Sequence, residues 1–413
     1  MTAPDRHVPH RGRLRRSDRR DALRTPQSLR IALVIDHPAQ QFARAFQLLA
    51  DESGLQVHVY YWSAPESSYD VGFARPVSWD IDLLGGYPWA APGSGLTAIR
   101  RVRWLVRQFG KSRPDVVVCY GWAKPISRTA IVYCLLTRTP LLMYGDTTWQ
   151  NSARGRYHLP RSAALRLLLR RCTGAVSTGT FNREFYIQQG MNPRRIWPGV
   201  CPADTEMFGA ARAGRRGLPG AGDHELRIGY AGKLTARKGA DELLRAAALL
   251  PPARTWSVTL VGDGPLLPSL RALAAELGLG DRVTFHGFAN TTEMPKLLAG
   301  FDVVVVPSRR DMRVLVTIEA MAAGAAVIVS DATAVWGAGD LIEDGVTGLV
   351  YRSGEPTMLA RQLGCLLDDP ALLALLQRGG AERSDRFGPA EFARTIRDAA
   401  WMCLPEGRER SHR

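Results

Sequence analysis

The chain has 413 residues, of which 46% are hydrophobic and 23% are charged, and its formal net charge is +15. This composition excludes a chain that is disordered throughout, because it supplies enough apolar mass to bury a core. It also excludes a polytopic membrane protein, because the longest apolar runs, such as 301–307, are far shorter than the roughly 18 residues that a spanning helix needs. At roughly 150 residues per domain, the length predicts two domains or slightly more.

The positive charge lies in the first half of the chain. Residues 1–200 carry a net charge of +16, whereas residues 201–413 carry −1. Nine arginines within residues 1–30 explain part of this excess. Nucleic acid, anionic lipid and phosphorylated substrates all match the sign, and a solvated basic surface is the plain alternative. We expect no nucleic-acid partner, because the arginine clusters at 11–20 and 161–171 lack the interleaved aromatic side chains that stack on bases.

The six cysteines are scattered, and no two of them form a Cys-x-x-Cys pair. We therefore expect neither a zinc site nor a disulfide framework, and we expect a reducing cytoplasm. The arginine-rich start is not followed by the apolar segment of a secretory signal. Residues 1–29 are thus expected to form a basic, disordered arm of a cytoplasmic protein, and contact between this arm and headgroups would associate the protein with the cytoplasmic face of a membrane.

After the arm, short apolar strands alternate with amphipathic helices. This first block predicts strands at 30–36, 56–62, 115–120, 140–144 and 174–178, helices at 40–50, 95–110, 125–138, 160–171 and 180–190, and a long irregular stretch at 63–92. A run of Gly, Ala and Arg without periodicity then marks a linker. The second block predicts strands at 226–231, 256–261, 282–285, 302–307 and 326–330, with helices at 238–250, 265–277, 291–299 and 315–323.

Two separate strand–helix alternations predict an α/β protein with two parallel-sheet, Rossmann-like domains that face each other across a cleft. The expected order is a first domain at 30–205, a linker at 206–225 and a second domain at 226–385. Residues 386–413 are expected to form a C-terminal helix and tail that cross back to the first domain.

A glycine- and lysine-rich turn follows the first strand of the second block. Gly232, Lys233, Lys238 and Gly239 lie between a strand end and a helix start. Free backbone N–H groups and cations converge on anions at such a place, and a diphosphate suits that geometry. The plain alternative is a strand–helix turn with solvent-facing lysines.

A second glycine turn, at Gly262 and Gly264, ends the next strand. It lacks the spacing of the dinucleotide fingerprint, so it does not predict an NAD site. Further on, Asp311 and Glu319 border the start of one predicted helix. Such carboxylates accept hydrogen bonds from sugar hydroxyls, although a helix cap plus a surface charge fits the pair equally well.

These motifs together resemble the group 1 (family 4) retaining glycosyltransferases, which have the GT-B fold. The resemblance covers about 226–390 and lies in an ordered set: Gly232-Lys-Leu, Lys238-Gly, the VGDGP turn, RVTFHGF at 282–288, Pro307-Ser, Asp311 with Glu319, and EDGVTG at 343–348. The first half is similar at Asp36-His-Pro-Ala-Gln and at 73–87, which is a weaker likeness.

The resemblance implies that the domain at 30–205 binds the acceptor and that the domain at 226–385 binds the nucleotide sugar. It also implies roles for single residues. Lys238 would bind the donor diphosphate together with Lys233, which stands where the family usually has Arg. Glu319 would hold the ribose hydroxyls, the stretch 285–288 would lie near the nucleobase, and Asp311 would contact the donor sugar. The implied donor site comprises Gly232, Lys233, Lys238, Gly262, Gly264, Phe288, Val314, Leu315 and Glu319.

Two further residues are candidates for the reaction centre. Many family members place a His after a strand of the first domain, and the equivalent residue here is Asp146. His37 is a nearby alternative, although a lone His in a loop is more often structural. The implied catalytic set is Asp311, Lys238, Lys233, Asp146 and His37.

The loop at 311–314 departs from the family pattern. Asp311 is one methylene shorter than the usual Glu, Arg313 puts a cation where an aromatic is common, and Val314 replaces a glycine. A β-branched residue restricts the backbone there. This departure motivates a second hypothesis, namely a catalytically impaired homologue that binds sugar nucleotides or acts as a partner or scaffold protein.

The leading hypothesis is a retaining glycosyltransferase that moves a sugar from a nucleoside diphosphate donor to a hydroxyl acceptor, such as a glycan, a lipid-linked molecule or a natural product. The nucleotide sugar is expected as a co-substrate, with no bound cofactor and no metal. The basic first half fits an acceptor at an anionic membrane surface.

Overall fold

The computed structural model describes residues 28–63, 68–70, 72–148, 158–214, 225–312 and 314–404. The basic arm that the sequence predicts lies outside these ranges except for its last two residues. Arg313 of the departing loop also lies outside them.

The first sheet consists of seven parallel strands in the order β5-β2-β1-β6-β7-β8-β9. Its strands are β1 (Leu29–Ile35), β2 (Leu55–Tyr61), β5 (Trp89–Ala90), β6 (Val116–Tyr120), β7 (Leu141–Gly145), β8 (Gly174–Ser177) and β9 (Ile196–Pro198). A short antiparallel hairpin, β3 (Ser68–Asp70) with β4 (Arg75–Val77), lies between β2 and β5 in the chain. Buried apolar runs such as that of β6 are typical of a parallel sheet that has helices on both faces.

The helices of the first block are α1 (Gln40–Asp51), α2 (Ala98–Ser112), α3 (Pro125–Thr137), α4 (His158–Arg171) and α5 (Thr180–Gln188). Phe42 and Phe46 of α1 pack on one face of the sheet. Leu105 of α2, Ile126 of α3 and Phe185 of α5 pack on the other face. The apolar periodicity of these helices therefore serves two separate cores.

The second sheet consists of six parallel strands in the order β12-β11-β10-β13-β14-β15. They are β10 (Leu226–Ala231), β11 (Trp256–Val261), β12 (Val283–Gly287), β13 (Val303–Val306), β14 (Ala326–Ser330) and β15 (Leu349–Tyr351). The helices that follow the first block are α6 (Thr205–Arg212), α7 (Ala240–Ala247), α8 (Leu267–Glu276), α9 (Met294–Ala299), α10 (Leu315–Ala322), α11 (Pro356–Asp368), α12 (Pro370–Ser384) and α13 (Pro389–Met402). Two parallel, helix-covered sheets confirm the predicted fold class.

Part of the predicted linker is helical. Helix α6 begins after Asp204, whose carboxylate accepts a hydrogen bond from the backbone N–H of Met207 at 3.1 Å. Phe208 buries its ring in a core of the second domain and anchors the helix there. The Gly/Ala/Arg composition obscured this cap and single anchor, and residues 215–224 lie outside the described ranges.

The last helix, α13, returns to the first sheet. Phe392 packs against Phe42 and Tyr144, with ring centroids 5.9 Å and 5.4 Å apart. Helix α13 therefore packs on the same face of the first sheet as α1. Within the ranges described, no helix is both long enough and apolar enough to cross a bilayer.

Candidate functional site

The strand order of the second sheet predicts where a ligand crevice lies. Sheets of this order change direction between their first and fourth strands in the chain, and ligands bind outside the carboxyl ends there. In this sheet those strands are the neighbours β10 and β13. Lys233 follows β10, and Asp311 follows β13. The topology thus brings together two loops that lie more than seventy residues apart in the chain.

Two glycines allow these loops to approach each other. Gly262, after β11, has φ +139°, and a Cβ there would lie 1.9 Å from the backbone oxygen of Gly232. Gly239 has φ +69°, and a Cβ there would lie 2.0 Å from the backbone oxygen of Pro307. Only glycine fits both the backbone conformation and the space. A side chain at either position would push the neighbouring loop away.

A cavity of about 410 Å³ lies over this crevice and is lined by both domains. Its size falls in the range of small-molecule sites. From the second domain it is lined by Gly232, Lys233, Arg237, Lys238, Gly262, Phe288, Thr291, Asp311, Val314, Leu315 and Glu319, among others. From the first domain it is lined by Gln40, Gln41, Asp70, Phe73 and Trp79.

Asp311 lies between two cations in the cavity. Lys238 Nζ is 2.5 Å from Asp311 Oδ2, and Arg237 is 3.4 Å from Asp311 Oδ1. Asp311 is buried, whereas Arg237 is half exposed. The pairing fixes the Lys238 ammonium at the cavity wall.

Lys233 pairs with a carboxylate of the other domain. Its Nζ donates hydrogen bonds to both oxygens of Asp70, at 2.8 Å and 2.7 Å. Partial burial opposes ionisation of Asp70, but hydrogen bonds from Lys233 and the backbone N–H of Phe73 outweigh it and hold the pKa of Asp70 below its ordinary value. This ion pair crosses the cleft between the domains.

Glu319 lies in the second turn of α10 and faces the same cavity. Burial raises the pKa of its carboxyl group from 4.5 to about 7. Glu319 therefore differs from Asp311 and Asp70, which have cations beside them.

Aromatic rings close one end of the cavity. Phe288 follows β12, and its ring meets that of Phe73 edge-on at a centroid distance of 5.1 Å. The Arg75 guanidinium lies 4.7 Å from the centroid of Phe288, and the Trp79 ring lies 6.5 Å from it. The first domain thus covers the Phe288 ring.

The first sheet has a polar cluster at its own change of direction, between β1 and β6. Asp36 follows β1, and its Oδ2 lies 3.6 Å from His37 Nδ1 and 3.1 Å from Lys124 Nζ. The hydrogen bond from His37 lowers the pKa of Asp36 below its ordinary value despite partial burial, and Lys124 adds to this effect. Asp146 follows the neighbouring strand β7.

The structure assembles most of the predicted site residues around one cavity, but not all. Gly264, Asp146 and His37 do not line it. Gly264 packs beneath the wall, where a Cβ would lie 2.6 Å from the backbone oxygen of Leu234. The His37 side chain is 68% exposed and points its Nδ1 toward Asp36.

Sequence reasoning missed several lining residues. Asp70, Phe73 and Trp79 fall in the stretch 63–92, which has no periodicity to reveal a hairpin. Arg237 was available as a signal, because it lies between Lys233 and Lys238 in a turn already assigned to anions.

Known proteins resemble this chain in sequence and in fold. The family model of glycosyl transferases group 1 matches residues 225–369. An alpha-D-kanosaminyltransferase of Streptomyces kanamyceticus is 36% identical over 171 residues, which are 41% of this chain and 42% of that protein. A 2-deoxystreptamine glucosyltransferase of the same organism is 32% identical over 238 residues, which are 56% of this chain and 59% of that protein. The chain thus spans about half the length of these curated relatives.

A solved structure matches over nearly the whole chain. Anabaena Alr3699/HepE in complex with UDP-glucose superposes with a TM-score of 0.66 and 18% identity, covering 91% of this chain and 100% of that protein. At this identity the match describes the fold alone. Residues 225–369 therefore belong to the group 1 glycosyltransferase family, within a chain that has the GT-B fold.

Proposed function

We propose that this protein is a retaining glycosyltransferase that moves a sugar from a nucleoside diphosphate donor to a hydroxyl acceptor. The observation that carries the proposal is the single cavity between the two domains, which holds Lys233, Lys238, Asp311 and Glu319 together. Two cations suit a diphosphate, and two carboxylates suit the hydroxyls of ribose and of the transferred sugar.

The lysines act on the bond that breaks. As the bond between the anomeric carbon and the phosphate oxygen opens, negative charge grows on the leaving diphosphate. Lys233 and Lys238 are held at the wall of the cavity, so they stabilise this charge most strongly in the transition state. Retention means that the acceptor oxygen bonds to the same face of the anomeric carbon that the diphosphate leaves.

The relatives support a nucleotide sugar as the co-substrate. HepE was solved in complex with UDP-glucose, and the curated relatives are named as a kanosaminyltransferase and a glucosyltransferase. The predicted roles of Gly232, Gly262, Phe288, Val314 and Leu315 toward the donor are part of the proposal, because each of them lines the cavity.

The acceptor belongs, in this proposal, at the carboxyl edge of the first sheet. Asp36 lies between His37 and Lys124 in a polar cluster there, and Asp146 follows a nearby strand, β7. Gln40 lies four residues after Asp36 and lines the donor cavity, so an acceptor held by this cluster would lie beside the donor. His37 or Asp146 would accept the proton that this hydroxyl loses.

The test is turnover with a panel of nucleotide sugars and acceptors, including water and 2-deoxystreptamine, which the name of one relative gives. Release of a nucleoside diphosphate is expected with one donor, and Lys238→Ala is expected to lower its rate by about 100-fold or more, as for other groups that stabilise a developing anion. Lys296→Ala serves as a control, because Lys296 is exposed on α9 outside the cavity.

Two outcomes would contradict the proposal. A product whose anomeric configuration, read by NMR, is opposite to that of the donor would exclude retention. Binding of a nucleotide sugar without transfer or hydrolysis would favour the alternative, a catalytically impaired sugar-nucleotide-binding or scaffold protein.

We also propose that the first domain rests on the anionic, cytoplasmic face of a membrane through helices α2 and α3. The two helices pack together, and neither contains an acidic residue. Six of the thirteen large apolar side chains that stand exposed in the described part of the chain lie on them: Ile99, Val102, Val106, Val132, Leu135 and Leu136. Exposed arginines at 100, 103 and 107 flank the apolar residues of α2. Apolar side chains beside arginines fit a surface of anionic lipid.

A further inference from the structure

A segment of the first domain reaches across the cleft and covers the donor cavity. It consists of the hairpin β3–β4 and the residues up to Asp80. Asp70 pairs with Lys233, and Phe73 packs on Phe288. Near its end, the backbone oxygen of Ser78 accepts a hydrogen bond from Asn290 at 2.9 Å, and Asp80 accepts one from Thr292. The segment therefore contacts the second domain at both ends.

Asp70 organises the hairpin as well as the ion pair. Its Oδ1 accepts hydrogen bonds from the backbone N–H groups of Gly72 and Phe73, at 2.8 Å and 3.1 Å. The turn thus holds the carboxylate in one orientation, directed at Lys233. A carboxylate held by two backbone N–H groups and an ammonium stays ionised.

The hairpin packs tightly on Lys233. A Cβ on Gly72 would lie only 2.5 Å from Lys233 Cδ, so the absence of a side chain lets the hairpin lie against the lysine stem. Lys233 Nζ lies 4.8 Å from the centroid of the Phe73 ring. The two charged side chains remain 35% and 30% exposed, so water and solutes reach the ion pair. Exposed pairs of this kind are weak and exchange readily.

The Asp70 carboxylate occupies the position on Lys233 that a phosphate of the donor would take. Both carboxylate oxygens of Asp70 bind Lys233, as two oxygens of a phosphate would. Lys238 differs, because its partner Asp311 belongs to the same domain. Of these two ion pairs, the Lys233 pair alone joins the two domains. A ligand that displaces Asp70 from Lys233 therefore removes a contact between the domains.

We propose that Asp70 is a displaceable occupant of the phosphate position on Lys233, so that a bound nucleoside diphosphate releases the hairpin 68–77 from the second domain. The proposal rests on the donor site described under the proposed function. Asp70 then sets donor affinity, because part of the binding free energy goes into breaking its ion pair. After the sugar leaves, return of Asp70 to Lys233 favours release of the diphosphate product.

The test uses inorganic pyrophosphate as a probe that does not depend on the base. Calorimetric titration of the full chain should show that Asp70→Asn binds pyrophosphate about three- to fivefold more tightly than the unaltered protein, which corresponds to the loss of one exposed ion pair. Asparagine keeps the oxygen that accepts from Gly72 and Phe73, so the turn is retained. In the unaltered protein, pyrophosphate should also speed hydrogen exchange in residues 68–77.

Two controls separate charge from position. Asp80→Asn removes a carboxylate from the same segment at a point that contacts Thr292, and it should leave pyrophosphate affinity unchanged. In a Lys233→Ala background, Asp70→Asn should give no gain, because the competing pair no longer exists.

Failure of this inference is distinguishable from failure of the proposed function. If Lys238→Ala weakens pyrophosphate binding but Asp70→Asn leaves it unchanged or weaker, Asp70 does not compete with phosphate and the inference is overturned. If Lys238→Ala leaves pyrophosphate binding unchanged, the donor site itself is misplaced.

Discussion

Three carboxylates face the same cavity, and two of the three have cations beside them. Asp311 has Lys238 and Arg237 beside it, and Asp70 has Lys233. Burial raises the pKa of the third, Glu319, to about 7. A carboxyl group of this kind costs the folded protein stability when it ionises, and it is therefore expected to serve a ligand.

The sign of this effect predicts a pH dependence. Between its ordinary pKa of 4.5 and about 7, Glu319 binds a proton in the folded chain but not in the unfolded chain, so stability falls as the pH rises through this window. Glu319→Gln should match the unaltered protein near pH 4.5 and exceed its free energy of unfolding at pH 8, by at most about 3 kcal/mol. Urea unfolding at the two pH values measures this difference.

The same substitution should weaken nucleotide binding, because an amide accepts fewer hydrogen bonds from ribose hydroxyls than a carboxylate does. Glu276→Gln, on the exposed face of α8, is the matched control and should show neither effect. A stability difference for Glu319→Gln that is equal at both pH values would contradict the account.

At the residue scale, the sequence singled out the cationic turn and the two carboxylates of the second domain separately, and the structure places them around one cavity. The carboxyl ends of parallel strands lie at the same end of the sheet. Because β10 and β13 are neighbours, Lys233, Lys238 and Asp311 lie close together. Their chemical roles stay predictions. Asp70 could not be predicted in the same way, because it reaches the site from the other domain through a hairpin of two three-residue strands.

At the scale of single elements, α2 has the clearest unexplained surface. Leu105 and Phe109 bury one side of the helix against the first sheet, whereas Ile99 and Val106 are 68% and 42% exposed. A helix that serves only the core would carry polar residues on its outer side. The exposed apolar side chains, with arginines between them, are the basis of the proposed contact with anionic lipid.

Vesicle sedimentation tests this contact. The chain is expected to pellet with phosphatidylglycerol vesicles at low salt and to stay in solution with phosphatidylcholine vesicles. Replacing Arg103 and Arg107 with Gln should weaken binding by about 2 kcal/mol, or roughly thirtyfold, at about 1 kcal/mol per arginine near the surface. Ile99→Ser should weaken it further, through the loss of apolar insertion.

Leu249→Ser provides the comparison, because Leu249 is 56% exposed but lies on the second domain. It should pellet like the unaltered protein. Equal pelleting of the arginine variant, or no pelleting at low salt, would show that α2 is not the docking face.

The predictability of elements depended on their length. The strands and helices that were predicted individually lie within a few residues of their observed bounds. The strands β9 and β15 have three residues each and show no usable period. Helix α6 was obscured by a Gly- and Ala-rich composition, although Asp204 caps it.

At the scale of the whole molecule, the cavity exists only because two domains meet. The second domain supplies the cations, and the first supplies Gln40, Asp70 and Phe73 to the same cavity. Further contacts tie the domains together: Gln40 accepts a hydrogen bond from Thr291 at 2.9 Å, and Asp340 accepts one from the backbone N–H of Thr180 at 2.8 Å. Opening of these contacts would admit a donor, and their closure would exclude water.

The chain path adds a second connection. Helix α13 follows the second domain in sequence but packs on α1 of the first. The domain boundaries at 205, 225 and 385 stay predictions, since α6 and α13 each link the two folded parts. The overall fold was predictable because two alternations of strand and helix dictate two parallel sheets. The closeness of the domains was not, because single contacts such as Asp70 with Lys233 decide it.

In the proposed function, the cavity binds a nucleoside diphosphate through Lys238 and Glu319. Thermal unfolding with a panel of nucleoside diphosphates and nucleotide sugars tests it most directly, with Lys296→Ala as the control for loss of a lysine. One nucleotide should raise the unfolding temperature by a few degrees, since a ligand at 100 times its Kd adds about 2.7 kcal/mol. Lys238→Ala and Glu319→Ala should abolish the shift, each against its own baseline. If both variants show the same shift as the unaltered protein, or if no nucleotide produces a shift, binding through Lys238 and Glu319 is contradicted.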